Sequence, residues 1–506
     1  MPDAFNAAEI ILARADRLND KTALIYSDKT MSYGELASLV NRAANAFAAL
    51  GIVRGARVGL MVMDSPLYCA AFLGLVKAGA VAIPLNPRLP AGDYGFVLTS
   101  AEMQLVVSDS EHISMLAKAA ASSGTRILCA SGQGESFERL VAAASCDFAA
   151  ALTLRDDPAF WLLSSGTTGR PKAIIHSHGN CAQGGKLLRE VIGADESTVV
   201  LGTSKLFFTY SLDNAFIGPV NIGATTVLIE RWPEPEQVVA QIARHRPNVV
   251  FSVPTFYRRL LNLGAAQLAP LNNVAYFYSA GERLPDAMAL AWREAVGREI
   301  HSCYGMSESF VNTLACFPGK QRLGATGLPL AGVQVRLLDG QDREVGTCEP
   351  GVMWIKHPSL ALGYQNPEAT AKAFHDGWFC TGDLFVRDAE GFYCHQGRAD
   401  ELLRIAGQWV KPAEVEEAVL AHAGIREAAC VVVPDRDGFD RLALFVVAAP
   451  PGDGEAIAQA KCDEGLPQYS RPKWVREVDE LPRTPTGKIQ RFRLRELLVA
   501  ELGRET

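Results

Sequence analysis

Hydrophobic positions along the chain keep two rhythms that take turns. From about Asn41 the stretch NRAANAFAAL carries a helical period, and compact apolar runs (VGLMV, AVAIPL, QLVVSD) follow it as far as Val107. The same alternation resumes between Trp161 and Ile300. Strands separated by helices of about ten to fifteen residues predict parallel βαβ units, with helices on both faces of a sheet. Near Leu323 the texture changes to short strands punctuated by Gly and Asp: VQVRLLD, GVMWIKH and GFYCHQGR. A third region begins near Gly397. There Pro412 opens an amphipathic helix (AEVEEAVLAHAG) whose Glu414, Glu416 and Glu417 suit the positive end of a helix dipole. Two strands, REAACVVVP and RLALFVVAA, precede a Pro-rich basic tail from Tyr469 to Leu498.

The predicted fold is therefore α/β. A large N-terminal domain of βαβ-built sheets and helices spans 1–397 and includes a small β-rich subdomain at 323–397. A hinge at 398–400 leads to a small, mobile α+β C-terminal domain at 401–506. No repeat of solenoid period interrupts this plan.

Composition narrows the function. With 506 residues, 48% hydrophobic and 21% charged, the chain is long enough for two or more packed domains. A net charge of -7 gives no overall attraction to nucleic acid or an anionic membrane, so an anionic ligand needs a focal site. The eleven cysteines are scattered without a CxxC pair, which fits a reducing cytoplasm and argues against a zinc or disulfide framework. MPDAFNAAEI lacks the basic and apolar regions of a secretory signal, and Lys77 breaks the longest apolar run, so the expectation is a cytoplasmic protein without a membrane span.

The candidate chemistry sits in five short strings. In SSGTTGRPK (Ser164 to Lys172) the glycines are too close, and the lysine too late, for a Walker loop. Glycines, hydroxyls and a cation after an apolar run nonetheless make a phosphate cradle. SAGERLP (Ser279 to Pro285) is a Gly-containing loop able to line a flat purine. YGMSES (Tyr304 to Ser309) offers Glu308, and Mg2+ commonly takes one or two carboxylates plus phosphate oxygens. In TGDLF, Asp383 could accept hydrogen bonds from the two hydroxyls of a ribose. PRTPTGKIQR sets Lys488 in a tail with eight basic residues against three acids from Arg471 to Arg495, a small-anion site or a solvated face. Read alone, Asp383 is more often a turn residue, Glu308 a surface glutamate and SAGERLP a plain strand-to-helix connection, while Lys488 is as readily an exposed tail lysine as a site residue. His176 and His178, two apart, lack the i, i+4 spacing of a helical zinc pair.

In order, SSGTTGRPK, SAGERLP, YGMSES, TGD, GRADELLRIAGQWVKPAEVE and PRTPTGKIQR resemble the motif series of the adenylate-forming superfamily over most of the chain. FNAAEIIL, VNRAANAFAALG and SKLFFTYSLDNAF look most like its benzoate-CoA ligases and their hydroxy- or aminobenzoate relatives. The resemblance implies an acid–thiol ligase that turns an aromatic carboxylate into an acyl-adenylate, releases pyrophosphate and passes the acyl group to coenzyme A. Its cofactors and co-substrates would be ATP, Mg2+ and coenzyme A, and its oligomeric state monomer or homodimer. It implies nucleotide contacts from Ser165, Gly166, Thr167, Thr168, Gly169, Lys172, Ser279, Gly281, Glu282, Tyr304, Gly305, Ser307, Asp383 and Arg398. Lys488, Glu308, Thr168 and Lys172 would carry the catalysis, with Glu308 holding the metal. Phe208, Tyr210, Ala280, Gly305 and Met306 would border the acyl group, Asp400 would be the hinge, and Gly407 would line the coenzyme A channel. CYGMSE stands where benzoate ligases carry a smaller-residue run, which leaves the ring substituent open. Loading of a carrier protein and a medium-chain fatty acid substrate are the alternatives; a catalytically dead scaffold would have no need of Lys488.

Overall fold

The computed structural model describes residues 4–165, 171–399, 403–405, 408–410, 412–435, 439–483 and 489–502. Its elements are those of an α/β chain. One seven-stranded sheet runs in the order Gly363–Tyr364, Pro171–Ser177, Pro158–Ser165, Val81–Pro84, Arg57–Met61, Leu105–Ser108, Arg126–Cys129. The last five of these are parallel. A nine-stranded sheet follows the order Leu328–Pro329, Leu314–Ala315, Ile300–Tyr304, Tyr276–Ser279, Val249–Ser252, Val199–Gly202, Thr225–Val227, Thr22–Tyr26, Lys29–Ser32. Six neighbouring strands of it, from Ile300–Tyr304 to Thr22–Tyr26, are parallel. The βαβ rhythm of the sequence is thus realised in both sheets.

Local chemistry explains the helices between the strands. Tyr33–Ala49 begins with a capping box in which Ser32 and Glu35 satisfy each other's backbone N–H groups. Pro66–Lys77 is capped by Ser65 with Pro66 in the first turn. Its residues are buried almost all round, as its unbroken apolar composition requires. The two helices pack backbone to backbone at Gly74, where a Cβ would lie 3.0 Å from both Ala43 Cβ and Ala44 N.

One strand departs from the parallel expectation. Pro171–Ser177 returns antiparallel beside Pro158–Ser165, with Ser164 opposite Lys172 and Ser165 opposite Pro171. Only five residues join the two, fewer than a parallel crossover needs, so the chain must turn straight back. Ser164 and Lys172, at the two described ends of the Ser/Thr/Gly string, therefore lie opposite each other on antiparallel strands.

The chain divides into two compact units. One holds residues 1–335, 355–379 and 390–393; the other holds 336–354, 380–389 and 394–506. The sequence places a boundary at 398–400, whereas this division draws in earlier segments. Arg398 donates to Thr381 O and Ala399 N to Gly382 O, which ties the first residues of that boundary to the 380s. Within the second unit, Ile425–Pro434 and Asp440–Ala448 pair antiparallel, and Trp474–Glu477 adds in parallel. Helices Pro412–Leu420 and Gly454–Gly465 cover one apolar face through Val415, Val419, Ala458 and Cys462. Helix Arg491–Leu502 covers the other through Leu494 and Leu498. That is the α+β pattern expected of the C-terminal part.

Candidate active site

In the first unit the predicted residues converge at the C-terminal ends of parallel strands, the usual place for ligands in open α/β sheets. Strand Tyr276–Ser279 delivers Ser279 and Ala280, 2% and 3% exposed, and then turns outward at Gly281 and Glu282, which are exposed. Gly281 has φ +87°, a conformation that favours glycine. Among the described residues, the buried Ser279 hydroxyl has no hydrogen-bond partner. Tyr278 and Ala280 share a face with Cys303 and Tyr210, and the alternation of the strand turns the Ser279 side chain to the opposite face with Phe277.

The neighbouring strand Ile300–Tyr304 leads into Gly305, Met306, Ser307 and Glu308, all partly buried. This short loop is held at several points. Ser309 Oγ donates to Met306 O and Val311 O. A Cβ on Gly305 would come within 3.1 Å of Asn312 Cα and 3.2 Å of Val311 O, so a larger residue there would push the loop off its support. Phe310 is buried at φ +58°, strain of the kind that clusters in functional loops. Ser307 Oγ lies 3.0 Å from Thr209 Oγ1, joining this loop to the aromatic segment Phe208 to Tyr210.

Two residues that were not expected here hold the loop from the side of strand Pro171–Ser177. His176, on the strand that Lys172 opens, donates through Nε2 to Ser307 O at 2.7 Å. It stacks on Phe160 at 4.8 Å and 9°. Burial pushes this imidazole down to about 4, against the opposing pull of its contacts with Ser307 and Asn180, so the ring is neutral at physiological pH. Tyr364 donates to Glu308 Oε1 at 2.8 Å, and Lys172 Nζ sits 5.7 Å from the centre of the same tyrosine ring. The sequence offered no local signal for either role. In the sequence His176 stands out only as one of two closely spaced histidines, and the Tyr364–Glu308 bond spans 56 positions.

The aromatic segment supplies an enclosed wall. Phe208 packs on Phe207 at 4.4 Å, and Tyr210 meets Phe251 edge-on at 5.8 Å. Tyr210 Oη lies 3.6 Å from Cys303 Sγ, which in turn is 3.5 Å from Ser279 O. Desolvation raises both the phenol and the thiol well above their ordinary values, so both remain protonated, polar but uncharged. A mostly apolar wall with a few neutral hydroxyl groups suits a flat aromatic ligand bearing a polar substituent.

In the second unit, Asp383 and Arg398 come together. Arg398 Nη1 donates to Asp383 Oδ1 at 3.2 Å and to Thr381 O at 2.9 Å. Asp383 N donates to Thr381 Oγ1 at 3.0 Å, and His395 Nε2 approaches the same carboxylate oxygen at 3.7 Å. Gly382 adopts φ +70°, and a Cβ there would sit 2.6 Å from Arg398 Nη2. The glycine is therefore what lets Arg398 reach its carboxylate.

Of the other predicted residues, Ser165 ends its strand opposite Pro171. Gly166, Thr167, Thr168, Gly169, Asp400, Gly407 and Lys488 lie outside the described residues.

Known proteins match along the whole length. The model of the AMP-binding enzyme family covers residues 11–365, and that of the AMP-binding enzyme C-terminal domain covers 414–488. A 3-hydroxybenzoate--CoA/4-hydroxybenzoate--CoA ligase of Thauera aromatica is 37% identical over 99% of this chain and 98% of its own length. A 3-hydroxybenzoate--CoA ligase of Aromatoleum sp. (strain CIB) is 38% identical, with 98% of each chain covered. Among solved structures, the anthranilate CoA ligase AuaEII in complex with anthranoyl-AMP superposes with a TM-score of 0.91 at 31% identity, covering 99% of both chains. Lys172 near the start of an antiparallel strand, a braced Ser307–Glu308 loop and an Asp383–Arg398 pair thus occur in a chain that belongs to the AMP-binding enzyme family, the adenylate-forming superfamily of the aryl-CoA ligases.

Proposed function

We propose that this chain is an ATP-dependent aryl-CoA ligase and that its preferred acid is a hydroxybenzoate, 3-hydroxybenzoate first. The observation that carries the substrate reading is the pair of neutral polar groups, Tyr210 Oη and Cys303 Sγ, set in an aromatic wall. A buried donor or acceptor left unpaired is costly, so such a site favours a ring that carries a matching hydroxyl. The hydroxybenzoate ligases among the relatives support the same choice.

The reaction runs in two displacements. A carboxylate oxygen of the acid attacks the α-phosphorus of ATP, the bond to the β-phosphate oxygen breaks, and pyrophosphate leaves. The sulfur of coenzyme A then attacks the acyl carbon of the adenylate, AMP leaves, and the thiol proton passes to solvent. In the first step Lys172 holds β,γ-phosphate charge, aided by Ser165, Gly166, Thr167, Thr168 and Gly169. Ser307 Oγ, fixed by Thr209, donates to the α-phosphate. Ser279, Gly281, Glu282, Tyr304 and Gly305 border the nucleotide base, while Phe208, Tyr210, Ala280 and Met306 enclose the ring. Asp383 accepts hydrogen bonds from the ribose hydroxyls, and Arg398 keeps that carboxylate aimed. Lys488 offsets the charge growing between carboxylate and α-phosphate. Rotation at Asp400 withdraws Lys488 and brings Gly407 to the thiol channel.

Glu308 fits Mg2+ by its chemistry: a single oriented carboxylate beside a triphosphate site completes the oxygen set that this ion takes from phosphates and water. When bound, the ion neutralises phosphate charge as pyrophosphate departs.

The test is AMP release with free coenzyme A across benzoate, the three hydroxybenzoates, 2-aminobenzoate and octanoate. A kcat/KM for 3-hydroxybenzoate at least tenfold above that for benzoate supports the reading. Preference for octanoate, or turnover only with a holo carrier protein, overturns it.

A further inference from the structure

Glu308 has three rotatable bonds, so a carboxylate left to itself would lose freedom each time it engaged a cation. We infer that Tyr364 is the positioning residue that fixes this carboxylate, holding Oε1 so that the side chain presents itself to the metal-bound triphosphate in one orientation. The inference rests on the reading of Glu308 as the Mg2+ residue.

Four features of the structure carry it. The phenol donates to Oε1 at 2.8 Å. Glu308 is also gripped through its backbone, because Ala361 N donates to Glu308 O at 2.8 Å; the segment 361–364 therefore holds the residue at both ends. Tyr364 is itself braced. Its N–H donates to Thr370 Oγ1 at 2.9 Å, its carbonyl accepts from the same hydroxyl at 3.1 Å, and its ring meets the edge of Phe374 at 5.8 Å and 71°. Gly363 is required for this closeness, since it has φ +144° and a Cβ would approach Thr370 Cγ2 to 2.6 Å. Finally, Gly363 and Tyr364 pair with Ile175 and Ile174 on the strand that begins at Lys172 and Pro171. The residue that orients the carboxylate thus hangs from the element that carries the phosphate-binding lysine.

The donor's chemistry matters. A lysine or arginine in this place would cancel the charge that Glu308 offers to a cation. A neutral phenol orients the carboxylate and leaves its full negative charge in place. Lys172, 5.7 Å from the ring centre, is meanwhile attracted to the ring without pairing directly with Glu308 through this contact.

The experiment measures Mn2+ binding to the full chain in the presence of ATP and absence of any acid, by the loss of the free Mn2+ electron-paramagnetic signal. Four proteins are compared: wild type, Tyr364→Phe, Glu308→Gln and the double variant. Tyr364→Phe is expected to weaken Mn2+ binding roughly tenfold, the scale of one hydrogen bond to a charged group. In the Glu308→Gln background it should add less than twofold, because the charge it orients is gone. Equal losses in both backgrounds, or no loss in Tyr364→Phe while Glu308→Gln binds weakly, overturn the inference. Unchanged Mn2+ binding in Glu308→Gln removes the metal reading itself, and the inference with it. Should Tyr364→Phe fail to fold by circular dichroism, Thr370→Val loosens the tyrosine's brace and keeps its ring. Weaker Mn2+ binding then supports the inference, and unchanged binding counts against it.

Discussion

His176→Gln separates the titration of a buried ring from its packing. Glutamine can still donate an N–H to Ser307 O but binds no proton. In the unfolded chain a histidine titrates near 6.5, whereas burial holds the folded ring at about 4. Between these values the unfolded state carries about one more proton than the folded state. The contribution of the neutral ring to stability is therefore complete above pH 6.5 and is lost as pH falls toward 4. The window is ~2.5 pH units and each unit is worth ~1.4 kcal/mol, so the full loss is about 3 kcal/mol. His178 and His357, also pushed down to about 4 by burial, act in the same direction. Asp64 and Asp213, raised to about 6 and about 7 by burial, act in the opposite one. Only the difference between wild type and variant isolates His176. Urea unfolding followed by tryptophan fluorescence at half-unit steps from pH 7.5 to 4 supplies it. Wild type should lose its advantage over His176→Gln at ~1.4 kcal/mol per pH unit between about pH 6 and 4.5. Parallel stability curves across that range would refute the assignment of a neutral, buried imidazole under the Ser307 loop.

Three further outcomes follow from the same geometry. Gly185 has φ +84°, and a Cβ there would lie 2.8 Å from Gly218 Cα; Gly185→Ala should cost roughly 2 kcal/mol or more in urea unfolding, and a loss under 0.5 kcal/mol contradicts the close approach. Tyr210→Phe should lower kcat/KM for 3-hydroxybenzoate about tenfold relative to benzoate, and an unchanged ratio removes Tyr210 from substituent recognition. Lys488→Ala should abolish pyrophosphate exchange while sparing thioester formation from supplied acyl-adenylate, and equal loss of both half-reactions contradicts its confinement to the first step.

The parts of the fold that were legible in the sequence are those written in local chemistry. The βαβ rhythm, the Pro412 helix and the paired strands 425–434 and 440–448 follow from periodicity and caps that act over a few residues. Among the site strings, SSGTTGRPK alone stands out by its own chemistry, because close approach to a phosphate demands glycine, hydroxyl and cation at short spacing, whereas the others take their meaning from their order along the chain. The antiparallel return at Pro171 depends on a joint too short for a crossover, which the apolar period does not encode. Compact units assembled from separate segments depend on strand pairing across long separations. His176 and Tyr364 are single residues in ordinary strands, and only the bonds across 131 and 56 positions disclose what they do.

The central claim is an acyl-adenylate made before coenzyme A takes part. Its most direct test is exchange of labelled pyrophosphate into ATP by wild-type protein, with 3-hydroxybenzoate present and coenzyme A absent. The account predicts exchange that requires the acid, proceeds without coenzyme A and falls at least a hundredfold in Glu308→Gln. Exchange that appears only on adding coenzyme A, or ATP cleavage to ADP and phosphate, would contradict it.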